Sequence, residues 1–250
     1  KEIFLNFIIC LLLLVIISVY NHIPLEKDPD NWWYFGRISL LKYLIERLKI
    51  DSKIKILEIG PGFGLNINLL KEYGSVEILE IDEYFAHEIE KNNPKIVRYS
   101  NITEIKKKYD LIVLMDVLEH IEDIKEFLSR LNNILLNQGN LIISVPAYQS
   151  LFSEHDVAMK HYRRYSNNLL KEHLKENFKI ISTHRFNWIL LPLRLIQIRL
   201  FRNVNSRVEI NPVINFIFKQ IIRFELLFVK IKIKIPFGLS IFCLATKKEV

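Results

Sequence analysis

The chain opens on a long apolar run before it settles into a regular alternation of patterns. Residues 3–20, IFLNFIICLLLLVIISVY, are apolar except for Asn6 and Ser18. Eighteen residues of helix extend roughly 27 Å, about the thickness of a bilayer's hydrocarbon core. The run therefore predicts a membrane-anchor helix over residues 1–22. A signal peptide is the rival, but the NHIPLEKDPD that follows is bulky and charged and offers no small-residue cleavage site. A buried core helix that is apolar on every face would need more protein around it than this chain supplies. The sequence opens on Lys1, which leaves the charge rule for helix orientation without its flanking residues. Residues 23–36 read as a linker ending in Trp32, Trp33, Tyr34 and Phe35. Such a cluster suits the headgroup level of a bilayer, packing on a domain, or the wall of a substrate pocket.

Beyond it the periods change. In ISLLKYLIERLKI, Leu40, Leu41, Leu44, Ile45 and Leu48 recur at helical spacing. Short β-branched runs then alternate with helical patterns. KIKILEIG, SVEILEID, KIVRYS, YDLIVLMD and NLIISVPA predict five strands, and KIISTHRFN and GLSIFCLATKK two more. GLNINLLKEYG and EYFAHEIEKNN read as intervening helices, and so does DIKEFLSRLNNILLNQG, with Gly139 as its stop. Apolar strands separated by helices predict a sheet covered on both faces. The expected architecture is α/β: a doubly wound, seven-stranded, mostly parallel sheet built by residues 37–250.

Between the last two strands, about residues 188–235, aliphatic and aromatic residues are interleaved with Arg194, Arg199, Arg202, Lys219, Arg223 and Lys230. Neither half has an apolar run of about twenty residues. The pattern predicts a basic amphipathic helical insertion lying in a membrane interface, or else helices covering the cleft or a partner subunit. The 250 residues carry a net charge of +7, and half of them are hydrophobic. That favours anionic partners, with a lipid surface leading. Nucleic acid is disfavoured because the cations are scattered among aliphatic side chains. Cys10 and Cys243 lie far apart in apolar stretches and read as buried thiols. Nothing in the sequence sets an oligomeric state.

The most specific stretch is ILEIGPGFG. Glycines at 60, 62 and 64 stand where the first strand turns into a helix, the place where α/β folds bind ligands beyond the strand ends. Glycine there permits positive φ and removes the Cβ that would block a ligand. The spacing G-P-G-F-G brings the third glycine one place earlier than the dinucleotide fingerprint. Glu80 ends the second strand about twenty residues on, where a carboxylate can accept from two ribose hydroxyls. Asp82 is the less favoured candidate. These features suit an adenosine ligand, NAD included.

Taken in order, ILEIGPGFG, ILEID, YDLIVLMDVLEHIED and GNLIISVPA resemble the class I S-adenosylmethionine-dependent methyltransferases over residues 54 to 150. The resemblance implies S-adenosyl-L-methionine as cofactor, held by Glu58, Gly60, Gly62 and Gly64, by Glu80 at the ribose, and by Asn101 where the family usually has Asp at the adenine. It further implies Asp116, Glu119 and His120 beside the methionine portion. SEHDVAMKHYRRYSNNLLKEHL, IPFGLSIFCLATKK and the early WWYFGR resemble a subgroup associated with cell-surface glycan and lipid-linked sugar gene clusters.

Methyl transfer to a hydroxyl gains from a base. The candidates are His155, His161 and His120, which follow the fifth and fourth strands. Asp156, Arg163 and Arg164 are candidate acceptor contacts, arginine being suited to a phosphate or carboxylate; the bland alternative is a packing motif with Ser166 as the helix N-cap. No metal set is expected, because the six-residue separation of His155 and His161 is not a helical pairing and no cysteine supports it. The reading is of a membrane-associated methyltransferase with its catalytic domain in the cytoplasm, acting on a small-molecule or lipid-linked glycan acceptor. The alternatives are an NAD-dependent oxidoreductase or epimerase and a non-catalytic membrane-bound nucleotide-binding module. Against the former stand the early third glycine and the lack of a Tyr-x-x-x-Lys pair.

Overall fold

The computed structural model describes residues 28, 30–48, 50, 53–200 and 211–248, without side chains for 197–200. The expected anchor over 1–22 lies outside the described residues. Among those described, no helix is long and apolar enough to cross a membrane.

The alternating pattern becomes one seven-stranded sheet. Its strands are β1 (Ile54–Ile59), β2 (Gly74–Leu79), β3 (Val97–Tyr99), β4 (Tyr109–Met115), β5 (Leu135–Pro146), β6 (Phe178–Phe186) and β7 (Ser240–Lys247). They lie in the order β3-β2-β1-β4-β5-β7-β6. The first five pair in parallel, and β7 runs antiparallel to both β5 and β6. The chain reverses direction across the sheet between β1 and β4, which opens a crevice at the carboxyl ends of those strands.

Period-two alternation sends neighbouring residues to opposite faces. Ile56, Phe186 and Phe242 pack on one side with α1 (Trp32–Glu46) and α2 (Ile67–Tyr73). Leu57, Ile112 and Phe178 pack on the other with α4 (Ile124–Ile134) and α6 (Asn167–Leu174). The remaining helices are α3 (Glu83–Asn92), the short α5 (Glu154–Ala158), α7 (Leu191–Leu200) and α8 (Pro212–Lys230). Ser166 caps α6 as expected, its side chain accepting from the Leu169 amide.

Two expectations need correction. Residues 32–36 are the first turn of α1 rather than the end of a linker, capped by Asn31, because Trp32 finds a buried place against Phe218 of α8, 4.9 Å between ring centroids. Gly74 both ends α2, its amide donating to the Leu70 carbonyl, and opens β2; a Cβ there would lie 1.8 Å from the Ile54 carbonyl oxygen, so only glycine lets β1 and β2 start that close. The helix expected to run to Gly139 gives way at Leu135, which pairs with Tyr109 of β4. The amphipathic insertion is helical, as α7 and α8. The inner face of α8 lies on α1, where Asn215 Oδ1 accepts from the Trp32 amide (2.8 Å) and the Tyr43 hydroxyl donates to the Val229 carbonyl (3.1 Å). Buried Glu225 ties α8 to the turn leading into α7, accepting from the amides of Asn187 (2.7 Å) and Ile189 (2.8 Å).

Candidate active site

A cleft of about 440 Å³ opens at the strand-order switch. Gly60 and Gly62 line one end, and His120, His155 and His161 the other. The three glycines of the turn all have positive φ but do different work. A Cβ on Gly60 would press Val117 (2.8 Å) and one on Gly64 would press Ile67 (2.8 Å), so these two allow close packing of the turn. A Cβ on Gly62 would meet nothing within 4 Å: its missing side chain leaves the space open on the cleft.

Glu80 braces this turn. Its Oε2 accepts from the Gly62 amide (3.1 Å) and its Oε1 from the Asp82 amide (2.9 Å). Glu80, like Glu58 and Gly64, is not among the residues lining the cleft; it reaches the lining through its bond to the Gly62 amide, and each of its oxygens keeps acceptor capacity for a hydroxyl donor. Burial raises its pKa, partly offset by the Asp82 and Gly62 amides. Asp82 itself caps α3. Glu58 is buried behind the turn, accepting from the Asn66 amide nitrogen (2.8 Å). Burial pushes its pKa up from 4.5 to about 7. The folded chain thus holds a proton at Glu58 that the unfolded chain gives up between those values. The stability this contributes is present below pH 4.5 and lost as pH rises through 7, an effect of about 3 kcal/mol. Glu58→Gln is expected to remove that part of the pH dependence and to stabilise the chain relative to wild type at pH 8, read by urea unfolding at pH 5 and pH 8. Equal pH slopes in both proteins would refute the assignment.

Asp116, with positive φ at the end of β4, accepts from the Ser144 hydroxyl and pairs with Arg37 of α1 at 2.5 Å. Arg37 is buried, stacked on Trp33 at 3.9 Å, and its Nε and Nη1 have no hydrogen-bond partner. A carboxylate and a guanidinium side by side in the cleft suit the ammonium and carboxylate of an amino-acid group. In the sequence Arg37 is only the last residue of WWYFGR, with no role attached, and it enters the site because α1 packs over the strand ends. Trp32, Trp33 and Tyr34 join it in the wall, so one of the roles open to the aromatic cluster, lining a pocket, is filled by these three.

The histidine end is equally constructed. Asp156 is fully buried. It accepts from Arg164 in a fork (Nε 2.7 Å, Nη2 3.0 Å), from His161 Nδ1 (2.9 Å) and from the amide and hydroxyl of Ser153 (2.9 and 3.1 Å). Burial opposes its ionisation, but the His161 and Arg164 hydrogen bonds outweigh it and hold the carboxyl far below the usual range. His120 stands edge-on to His161 with ring centroids 4.5 Å apart. Burial, and then its histidine neighbour, lowers the pKa of His120; burial also lowers that of His155. Glu119 is buried beside Asp116, and burial followed by that charge raises its pKa well above 4.5.

The expected acceptor contacts are therefore reassigned. Asp156 is sealed from the cleft and orients His161 instead of touching a ligand. Arg164 reaches the cleft wall, but its fork is spent on Asp156. Arg163 points away, donating to the Glu122 carbonyl (3.0 Å). Asn101 lies on an exposed turn outside the cleft lining, where its side-chain oxygen accepts from the Thr103 amide and hydroxyl. Arg194 of α7 lines the cleft and was not among the expected contacts.

The model of a family described as "Methyltransferase domain" matches residues 32–191. Among curated relatives, a ubiquinone biosynthesis O-methyltransferase of Rickettsia canadensis is 31% identical over 140 residues, covering 48% of this chain and 59% of its own. The corresponding protein of Rickettsia bellii is 32% identical over 140 residues, with 48% and 58% covered. This chain thus spans less than two thirds of these relatives. Among solved structures, a putative sarcosine dimethylglycine methyltransferase from Galdieria sulphuraria superimposes with a TM-score of 0.57 at 17% identity, covering 84% of this chain and 85% of that one. N-methyltransferase NodS from Bradyrhizobium japonicum, in complex with S-adenosyl-L-homocysteine, gives 0.55 at 12% identity, with 94% and 95% covered. At such identities the structures speak for the fold, and the matched domain for the chemistry. The open glycine turn and the charge pair fit S-adenosyl-L-methionine, and the chain belongs to the methyltransferase-domain family as an S-adenosylmethionine-dependent methyltransferase.

Proposed function

We propose that this methyltransferase acts on a hydroxyl of a lipid-linked or otherwise membrane-presented acceptor, with the catalytic domain on the cytoplasmic side where its cofactor is made. The observation that carries this reading is α8. Its inner face rests on α1, which walls the cleft, while Val213, Phe216, Ile217, Phe224 and Leu227 stand exposed on the helix. Exposed Arg223 and Lys230 punctuate them, while Lys219 is turned to Asp30. Exposed apolar side chains among basic ones suit an anionic lipid surface. Asp30, just before α1, is bonded to Asn215 and Lys219 of α8, so the apolar residues 3–20 precede a point of the chain held on this helix. The acceptor's attachment to surface glycan or lipid-linked sugar rests on the subgroup resemblance. Oxygen as the methylated atom is supported by the curated relatives, which are named O-methyltransferases.

S-adenosyl-L-methionine supplies a methyl carbon on a good sulfonium leaving group. What remains for the chain is to align, desolvate and deprotonate. Gly62 leaves room for the cofactor, Glu80 accepts from its ribose, and Arg37 with Asp116 pairs its charged amino-acid end. The histidine end of the cleft is where the acceptor hydroxyl loses its proton as the C–O bond forms.

The test uses the full chain in detergent with a methyl-labelled cofactor and a bacterial lipid extract. Label in an alkali-stable ether of the organic phase, together with flotation on vesicles containing phosphatidylglycerol, is the expected result. Label confined to water-soluble acceptors, with no flotation, would defeat the membrane reading and leave the methyltransferase intact.

A further inference from the structure

We propose that Glu119, His120 and His161 form a binding site for one divalent transition-metal ion at the acceptor end of the cleft. The three side chains offer a carboxylate oxygen and two imidazole nitrogens, all within 4.8 Å of one another. Bound first-row ions hold such donors at about 2.0–2.2 Å, so the set closes on an ion with small side-chain rotations.

Three independent features of the site point to a ligand. Glu119 is 1% exposed, and its Oε2 has no hydrogen-bond partner. A buried carboxylate oxygen left unpaired is costly unless something positive comes to it. His161 has its Nδ1 committed to Asp156, which leaves Nε2 as its ligand atom. A carboxylate on the far nitrogen is the arrangement that orients metal-binding histidines and strengthens them as donors. Asp156 is in turn fixed by the Arg164 fork, so the support is itself immobile. Finally, the two segments are locked together by their backbones: the Tyr162 amide donates to the Glu119 carbonyl at 2.8 Å, beside both ligand residues. The cluster is thus assembled before any ion arrives.

Two imidazoles and one carboxylate favour zinc, cobalt, nickel, manganese or ferrous iron over magnesium or calcium. All three residues line the cleft, so the remaining coordination positions face the acceptor. Resting on the hydroxyl-methylation reading, the ion would hold the acceptor oxygen and lower its pKa, and the proton would leave to water.

The experiment takes the full chain in detergent, stripped with a chelator, and titrates Co(II) while following visible absorption; binding of S-adenosylhomocysteine is measured on the same sample. One equivalent of cobalt is expected to give a ligand-field band that Zn(II) bleaches. Glu119→Gln and His120→Gln are expected to weaken cobalt binding about tenfold or more in protein whose circular dichroism shows it folded. Absence of the band in protein that binds S-adenosylhomocysteine overturns the metal site and leaves the methyltransferase reading standing. A band of unchanged strength in both variants overturns it equally, since the ion would then sit elsewhere. Failure to bind S-adenosylhomocysteine at all would instead strike at the methyl-transfer reading itself.

Discussion

Gly62→Arg is expected to abolish measurable binding of S-adenosylhomocysteine, a loss of about 100-fold or more, while the chain remains folded. Two costs combine. The residue sits at φ +54, where a side chain costs about 1–2 kcal/mol of backbone strain. A Cβ there meets nothing within 4 Å, so an arginine would extend into the cleft and take the space the cofactor needs. Gly62→Ala separates the two costs: it keeps the strain, adds only a methyl group and should weaken binding about tenfold or less. Glu80→Ala loses the acceptor for the ribose and also frees the Gly62 and Asp82 amides, and an intermediate loss is expected. Calorimetric titration of the three variants beside wild type checks the order. Wild-type affinity in Gly62→Arg would mean that the cofactor does not lie over this turn.

Asp156→Ala is expected to destabilise the chain by about 3–5 kcal/mol, since it leaves the guanidinium of Arg164 without its partner in a buried place. The more informative variant is Asp156→Asn, which preserves shape but cannot hold both Arg164 and the Nδ1 proton of His161 as a carboxylate does. Methyl transfer should fall by about 100-fold or more, because the His161 ring loses its fixed orientation. Affinity for S-adenosylhomocysteine should change little, because the hydrogen bonds of Asp156 go to Ser153, His161 and Arg164 and none to the glycine turn. Turnover measured against labelled cofactor, with unfolding followed in parallel, separates the effects. A folded Asp156→Asn with full turnover would show that the histidine end takes no part in catalysis.

The sheet was legible because burial on both faces imposes apolar β-branched runs, and turn chemistry separates them. Where boundaries shifted, a tertiary contact overrode a local signal. Leu135 continues a helical pattern but is taken by Tyr109 of β4, and Trp32 to Phe35 follow a linker-like stretch but are drawn into α1 by its packing on α8. The glycine turn was legible for a related reason. Such a turn is built within one strand–helix–strand unit, so Gly60, Gly62 and Glu80 stand close in sequence as well as in space.

The other half of the site was not, because it is assembled from distant segments. Spacing compares His155 with His161, whereas the fold sets His161 against His120 and Glu119, some forty positions away. Arg163 and Arg164 are adjacent in sequence, yet successive side chains diverge: one leaves for Glu122 and the other turns inward to Asp156. Arg37 carries no local signature and gains its place beside Asp116 from the packing of α1 beneath α8. The sequence by itself determined the parallel core, the glycine turn and the kind of cofactor, since each depends on periodicity or on residues within one turn. Only the tertiary structure decided which charges face the cleft and which neutralise one another beneath it, because that depends on where separate helices come to rest.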